Sequence, residues 1–224
     1  MKLKQLFGVV VIGMAVSLLF SGPALAKKRA TSGSYTGRKG GTGTFQKEVS
    51  REPGKKTGNT TWQNERGTGS RQSERTWDKN AGTGAFSSTT TGAAGKTFER
   101  SGTVTKTGEN TYSVNGTVTG PNGRTMDVNK TVEKTETGRT VTGDYSTSGG
   151  KSGTFATDIV RDGSGGWDRH TAVTNQDGKT GTQDVDVTRD GSSYTRTVTN
   201  TRPNGETNTG TGTFSIDNVT RTKE

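Results

Sequence analysis

Over much of the chain, apolar residues recur at every second position, in short runs broken by glycine-containing turns. In a strand, positions i, i+2 and i+4 share a face. One face then reads Phe98, Arg100, Gly102, Val104, followed by Tyr112, Val114, Gly116, Val118 and Met126, Val128, Lys130, Val132. Trp167, Arg169, Thr171, Val173 and Tyr194, Arg196, Val198 continue it. The opposite face collects Thr103, Thr105, Thr117, Thr119, Thr195, Thr197 and Thr199. Each strand offers about one aromatic and one or two valines to one side and threonine to the other. Gly102, Gly116 and Gly143 leave room on the apolar face for a neighbouring aromatic to lie across the backbone.

Turn-like glycines at 95, 108, 123, 138, 150, 163, 178, 191 and 205 are 12–15 residues apart. In "GPNG", Pro121 presets φ for the second position of a β-turn, Asn122 suits the third and Gly123 tolerates the positive φ that follows. This predicts a type I turn closing a hairpin through a glycine bulge. Pro203, Asn204 and Gly205 repeat the device, and "NQDG" at 175–178 is a proline-free version. A phosphate-binding loop would need a following helix, and no helical pattern is present. The pattern predicts an all-β chain, an antiparallel meander of about 12–14 short strands with tight Gly-rich turns. A β-solenoid with two strands per rung and a wide up-and-down barrel are the alternatives.

Three regions follow. Residues 1–26 pair Lys2 and Lys4 with an apolar stretch, a "SGP" break and Ala24-Leu25-Ala26, the pattern of a cleaved secretory signal. Residues 27–94 carry strand-like segments such as "GTGTF" with less regular spacing, and residues 95–224 form the regular repeat. No second apolar run follows the signal, so no transmembrane span is expected after its removal. Export to the cell surface or the extracellular space is expected, with the periplasm as a possible destination.

Composition removes most chemistry. The chain has no cysteine, and after Ala26 it has no leucine. Ordering a residue costs about 1–2 kcal/mol and a fully buried Val or Phe returns about 1.5–3 kcal/mol, so these few apolar residues cannot build a thick core. A transition-metal site has no ligand set, because His170 is the sole histidine; it is expected at a solvent-facing strand position. "RDGSG" and "NQDG" lack the carboxylate spacing of an EF-hand. Asp184 and Asp186 are not singled out as a catalytic pair, and no cofactor and no enzyme activity are expected.

Charge adds one asymmetry. Residues 27–79 carry an excess of eight positive charges, whereas residues 80–224 balance to zero. Lys27, Lys28, Arg29, Arg38, Lys39, Lys55 and Lys56 are therefore the candidates for contacting anionic polysaccharide, lipopolysaccharide or extracellular DNA. Trp62, Trp77 and Trp167 are candidates for stacking on sugar rings, against the plainer expectation that they pack on the apolar face. The Thr-x-Thr runs "TVT" and "TGTGT" resemble the threonine arrays of ice-binding β-solenoid proteins, although the uneven turn spacing spoils a strict lattice.

In style the chain resembles secreted bacterial β-repeat proteins. The leading expectation is a structural or adhesive component of the cell surface or extracellular matrix, its main partner being itself through exposed sheet edges. A polyanion- or glycan-binding module is the alternative, and ice binding the third.

Overall fold

The computed structural model describes residues 27–37 and 40–223. The cleaved-signal expectation for residues 1–26, and the candidates Arg38 and Lys39, lie outside the described residues.

Fourteen strands run in chain order. The first five are β1 (Lys27–Thr36), β2 (Thr42–Glu52), β3 (Lys55–Asn64), β4 (Gly67–Asp78) and β5 (Thr83–Thr91). The next five are β6 (Thr97–Lys106), β7 (Thr111–Thr119), β8 (Thr125–Lys134), β9 (Gly138–Thr147) and β10 (Ser152–Arg161). They are followed by β11 (Trp167–Asn175), β12 (Thr180–Asp190), β13 (Ser193–Thr201) and β14 (Thr207–Lys223). Each pairs antiparallel with its sequence neighbours, and β1 pairs with β14, so the meander closes into a barrel. Strands of the basic N-terminal stretch and of the regular repeat belong to the same wall.

Closure corrects the leading functional expectation. Self-association through sheet edges needs unpaired terminal strands, yet Lys27–Thr36 meets Thr213–Lys223 along its whole length, with one register shift at Ser32/Gly33. A barrel has no edge to offer a second chain, so a matrix or adhesive role built on edge pairing is overturned. The threonine runs also lie on a closed, curved wall and not on a flat lattice face.

Alternation sorts the residues as the strand pattern predicts. In β8, Val128, Lys130 and Val132 are buried while Asp127, Asn129, Thr131 and Glu133 are exposed. With a single closed sheet and no second layer, the buried parity is the bore. Two apolar clusters occupy it. Val104, Tyr112, Val114, Val132 and Val141 form one, with Trp77, Phe86 and Phe155 against it. Val185, Val187 and Val198 form the other, with Trp167 and Tyr194. The Phe86 ring crosses Gly102 and Gly116, where an added Cβ would sit 2.6 and 2.9 Å from it; Phe155 crosses Gly143 in the same way.

The turns show the bulged hairpin geometry. Gly123 N donates to Gly120 O (3.0 Å), Gly120 N to Arg124 O (2.8 Å), and Gly123 has φ +70°. Gly205 bonds Arg202 O at 2.9 Å with φ +83°, and Gly178 bonds Asn175 O at 3.0 Å with φ +74°. Gly138 differs from the turn series: it opens β9, where the wall leaves no room for a Cβ beside Ile159 O.

Candidate functional site: the bore

Because side chains alternate, the register of β2–β13 decides which charges face inward. Among the described residues, every Asp and Glu of these twelve strands stands on the outward parity. Glu48, Glu74, Glu99, Asp127, Asp144, Asp158 and Asp184 are examples, each one position from a bore residue. The basic residues do the opposite. Lys47, Arg71, Arg75, Arg100, Lys130, Arg139, Arg169 and Arg196 share the inward parity with the valines and aromatics. Lys28 and Lys55 are the outward exceptions; Lys55 pairs with Glu74 across the strands at 3.0 Å.

The outward wall of β2–β13 is otherwise Thr, Ser, Asn, Gln and acid with His170 and Gly138, and Ala85, Ala156, Ala172 and Val160 are its apolar members in β5, β10 and β11. A transmembrane barrel needs an apolar lipid-facing band on its strands. The described strands carry none, and no helix among the described residues is long and apolar enough to cross a membrane.

The two mouths of the bore differ. Lys27, Arg29, Arg51, Lys56, Arg75, Arg139, Arg169 and Arg196 lie toward the mouth where β1 begins and β14 ends. Lys47, Arg71, Arg100 and Lys130 stand near mid-strand. Toward the other mouth the inward positions are uncharged and include the aromatics and amides Tyr35, Phe45, Trp62, Tyr145, Phe155, Gln183 and Asn200. Asn64 donates to Tyr35 Oη (3.1 Å) and Gln183 to Asn200 Oδ1 (2.7 Å), while the Arg169 guanidinium reaches over from the basic side to donate to Gln183 Oε1.

Crowding like charges in a partly desolvated bore weakens the protonated forms. Desolvation, then Arg100, Arg139 and Arg75, lowers Lys130 from the usual lysine range to about 7. Lys56 is lowered to about 8 by desolvation and then by Arg51, Arg75 and Lys47. Arg100 falls to about 10 through desolvation, Arg71 and Arg75. Lys47 reaches solvent within the bore but is drawn down by desolvation and by Arg29, Arg71 and Arg51.

The residues singled out in the sequence divide between the faces. Lys27, Arg29 and Lys56 face the bore at one mouth, where the ladder sets Lys27, Arg51, Lys56 and Arg75 in one cross-strand row, while Lys28 and Lys55 face out. Gly58, Ser73 and Ser88 sit side by side, and a hollow of about 710 Å³ along this row is lined by residues of both parities, Lys28, Arg29, Glu48 and Glu74 among them. Trp62 lies over Gly69. Trp77 meets Tyr112 edge-on, with ring centroids 6.0 Å apart, and Trp167 packs on the second apolar cluster. Outside the bore, His170 Nδ1 stands 2.5 Å from Asp184 Oδ1 at an exposed position. Asp162 of "RDGSG" accepts hydrogen bonds from Ser164 N, Ser164 Oγ and Gly166 N, so its oxygens are occupied within the turn. Among the described residues no group of three His, Asp or Glu is placed to hold a metal.

Sequence reasoning missed Arg75, Arg100, Lys130 and Arg139 as a site. The signal was available, because Arg100 and Lys130 already fell on the apolar strand face, but a zero net charge over residues 80–224 concealed it.

No family model and no curated protein matches the chain. Among solved structures it is similar to a bacterial polysaccharide outer membrane secretin (9% identity, TM-score 0.46, covering 91% of this chain and 100% of that one). It is also similar to a putative AttH from Nitrosomonas europaea (10% identity, TM-score 0.27, covering 92% and 98%).

Proposed function

We propose that the protein is a water-soluble barrel of the bacterial cell envelope that holds an acidic polysaccharide chain in its basic bore. The signal-like N-terminus supports export, and the hydrophilic outer wall supports a life in water. The observation that carries the reading is the charge sorting: acids outward, guanidinium and ammonium groups inward, along β2–β13. Net charge alone would give attraction of polyanions to any surface. A wall that keeps its acids outside repels them from there and concentrates the attraction within the bore.

A polysaccharide fits better than a nucleic acid duplex. Barrels of about 16–18 strands leave open aqueous channels, so a 14-strand wall lined by long basic and aromatic side chains admits a single extended polymer. Bore aromatics such as the half-buried Trp62 and Trp77 and the exposed Phe98 offer apolar surface to sugar rings between the charges. The protein binds and guides its ligand without turning it over.

Retention of the exported chain on a polyuronate resin tests this. Wild type is expected to elute with rising salt and to ignore a neutral glucan. Lys47→Gln with Arg71→Gln should cut affinity about tenfold, while Lys28→Gln with Lys55→Gln, the same charge change on the outer wall, should leave it unchanged. Equal losses in both pairs, or equal retention on duplex DNA, would overturn the reading.

A further inference from the structure

Among the described residues Lys130 is the most enclosed charged side chain, with 5% of its surface exposed. Its strand neighbours across the ladder are Val114 and Gly143, and Val128 and Val132 flank it along β8. The Phe155 ring fills the space over Gly143, so the lysine stem runs through an apolar patch. The charges that bear on Lys130 are Arg100 from β6, Arg139 from β9 and Arg75 from β4, all cationic. Its ladder neighbours on β7 and β9 bring no acid, and the inward parity of β2–β13 holds none. Among the described residues Lys130 has no ion-pair or hydrogen-bond partner, and Arg100 Nε is buried without an acceptor. Buried cations are ordinarily paired with an anion or a set of acceptors. Here a lysine with an enclosed stem and a half-buried arginine with an enclosed Nε lie within electrostatic reach of each other, with no acid on the inward face between them.

We infer that Lys130 and Arg100, with Arg75 and Arg139 around them, form a binding site for one oxyanion group, the carboxylate of an acidic sugar residue. The site deepens the bore reading and rests on it: along a polymer that the whole bore attracts, this is the point where a single carboxylate is desolvated and held. The remaining wall cations act at longer range through water. An anion seated here restores the charged form of Lys130, so binding is accompanied by proton uptake at neutral pH.

Calorimetry on the full exported chain in low salt tests the site, with glucuronate, inorganic sulfate and glucose as probes. Glucuronate is expected to bind saturably at pH 6 and about tenfold more weakly at pH 8.5, and glucose not at all. At pH 7.5 its heat should vary with buffer ionisation enthalpy, reporting the proton taken up. Lys130→Met and Arg100→Gln should each abolish the response, and circular dichroism on the methionine variant, which removes a buried cation, guards against loss of fold. Glucuronate binding unchanged in Lys130→Met overturns the site, as does sulfate binding through Lys130 without glucuronate. Polymer retention that survives Lys130→Met while glucuronate binding is lost leaves both inferences standing. Loss of polymer retention in wild type with glucuronate still bound at Lys130 sinks the polysaccharide reading alone.

Discussion

Lys130 couples the barrel's stability to pH in a direction opposite to that of a salt-bridged lysine. In the unfolded chain its ammonium keeps its proton up to the ordinary value of 10.5, whereas in the barrel it releases it near 7. Between these values the unfolded chain binds more protons, so stability rises as pH rises from about 7 and is lowest below it. The urea midpoint of the ligand-free protein should therefore increase from pH 6 to pH 9. Lys130→Met should flatten that rise and stabilise the protein at pH 6 by on the order of 2 kcal/mol. A midpoint that falls over the same range would show the lysine to be paired. The residue was visible in the sequence as a lysine on the valine face of its strand. Its isolation was not, because the guanidinium groups nearest it come from β4, β6 and β9, and only closure of the wall sets them facing one another.

At the level of elements, most of the design can be read from alternation and turn chemistry. The Phe98–Val104, Tyr112–Val118 and Met126–Val132 segments occupy β6, β7 and β8 with the face predicted for each. Glycine spacing misleads at Gly138, a strand residue kept small by the approach of Ile159 O. What alternation cannot express is partner choice at the two ends. β1 and β14 are separated by the whole chain, and no local pattern states that they pair. That seam also predicts what restores an edge. A chain ending before Thr207 lacks β14 and leaves β1 and β13 each with an unpaired side. Sedimentation should then show concentration-dependent oligomers where the intact barrel stays monomeric; a monomeric truncation would mean that the remaining strands reclose.

For the whole molecule, an even number of antiparallel strands brings the first and last strand to the same mouth. Lys27 and Lys223 are cross-strand partners, placing their backbones about 5 Å apart. Both ends of the described wall therefore lie at the basic rim, and the other rim carries connections between consecutive strands. The hairpin turns of that rim carry charges such as Arg66, Arg124, Lys151 and Arg202. Past them, a ligand entering the bore from that side meets uncharged inward positions before the cations, and one from the other side meets them in reverse. In folding terms the wall has no privileged start. Joining Lys27 to Lys223 by a short flexible linker and opening the chain between Pro121 and Gly123 should give a circular permutant with the same bore, and glucuronate binding would report it. The molecule is a ring cut at one of fourteen equivalent places, and its sequence order records where the cut was made rather than how the ring is built.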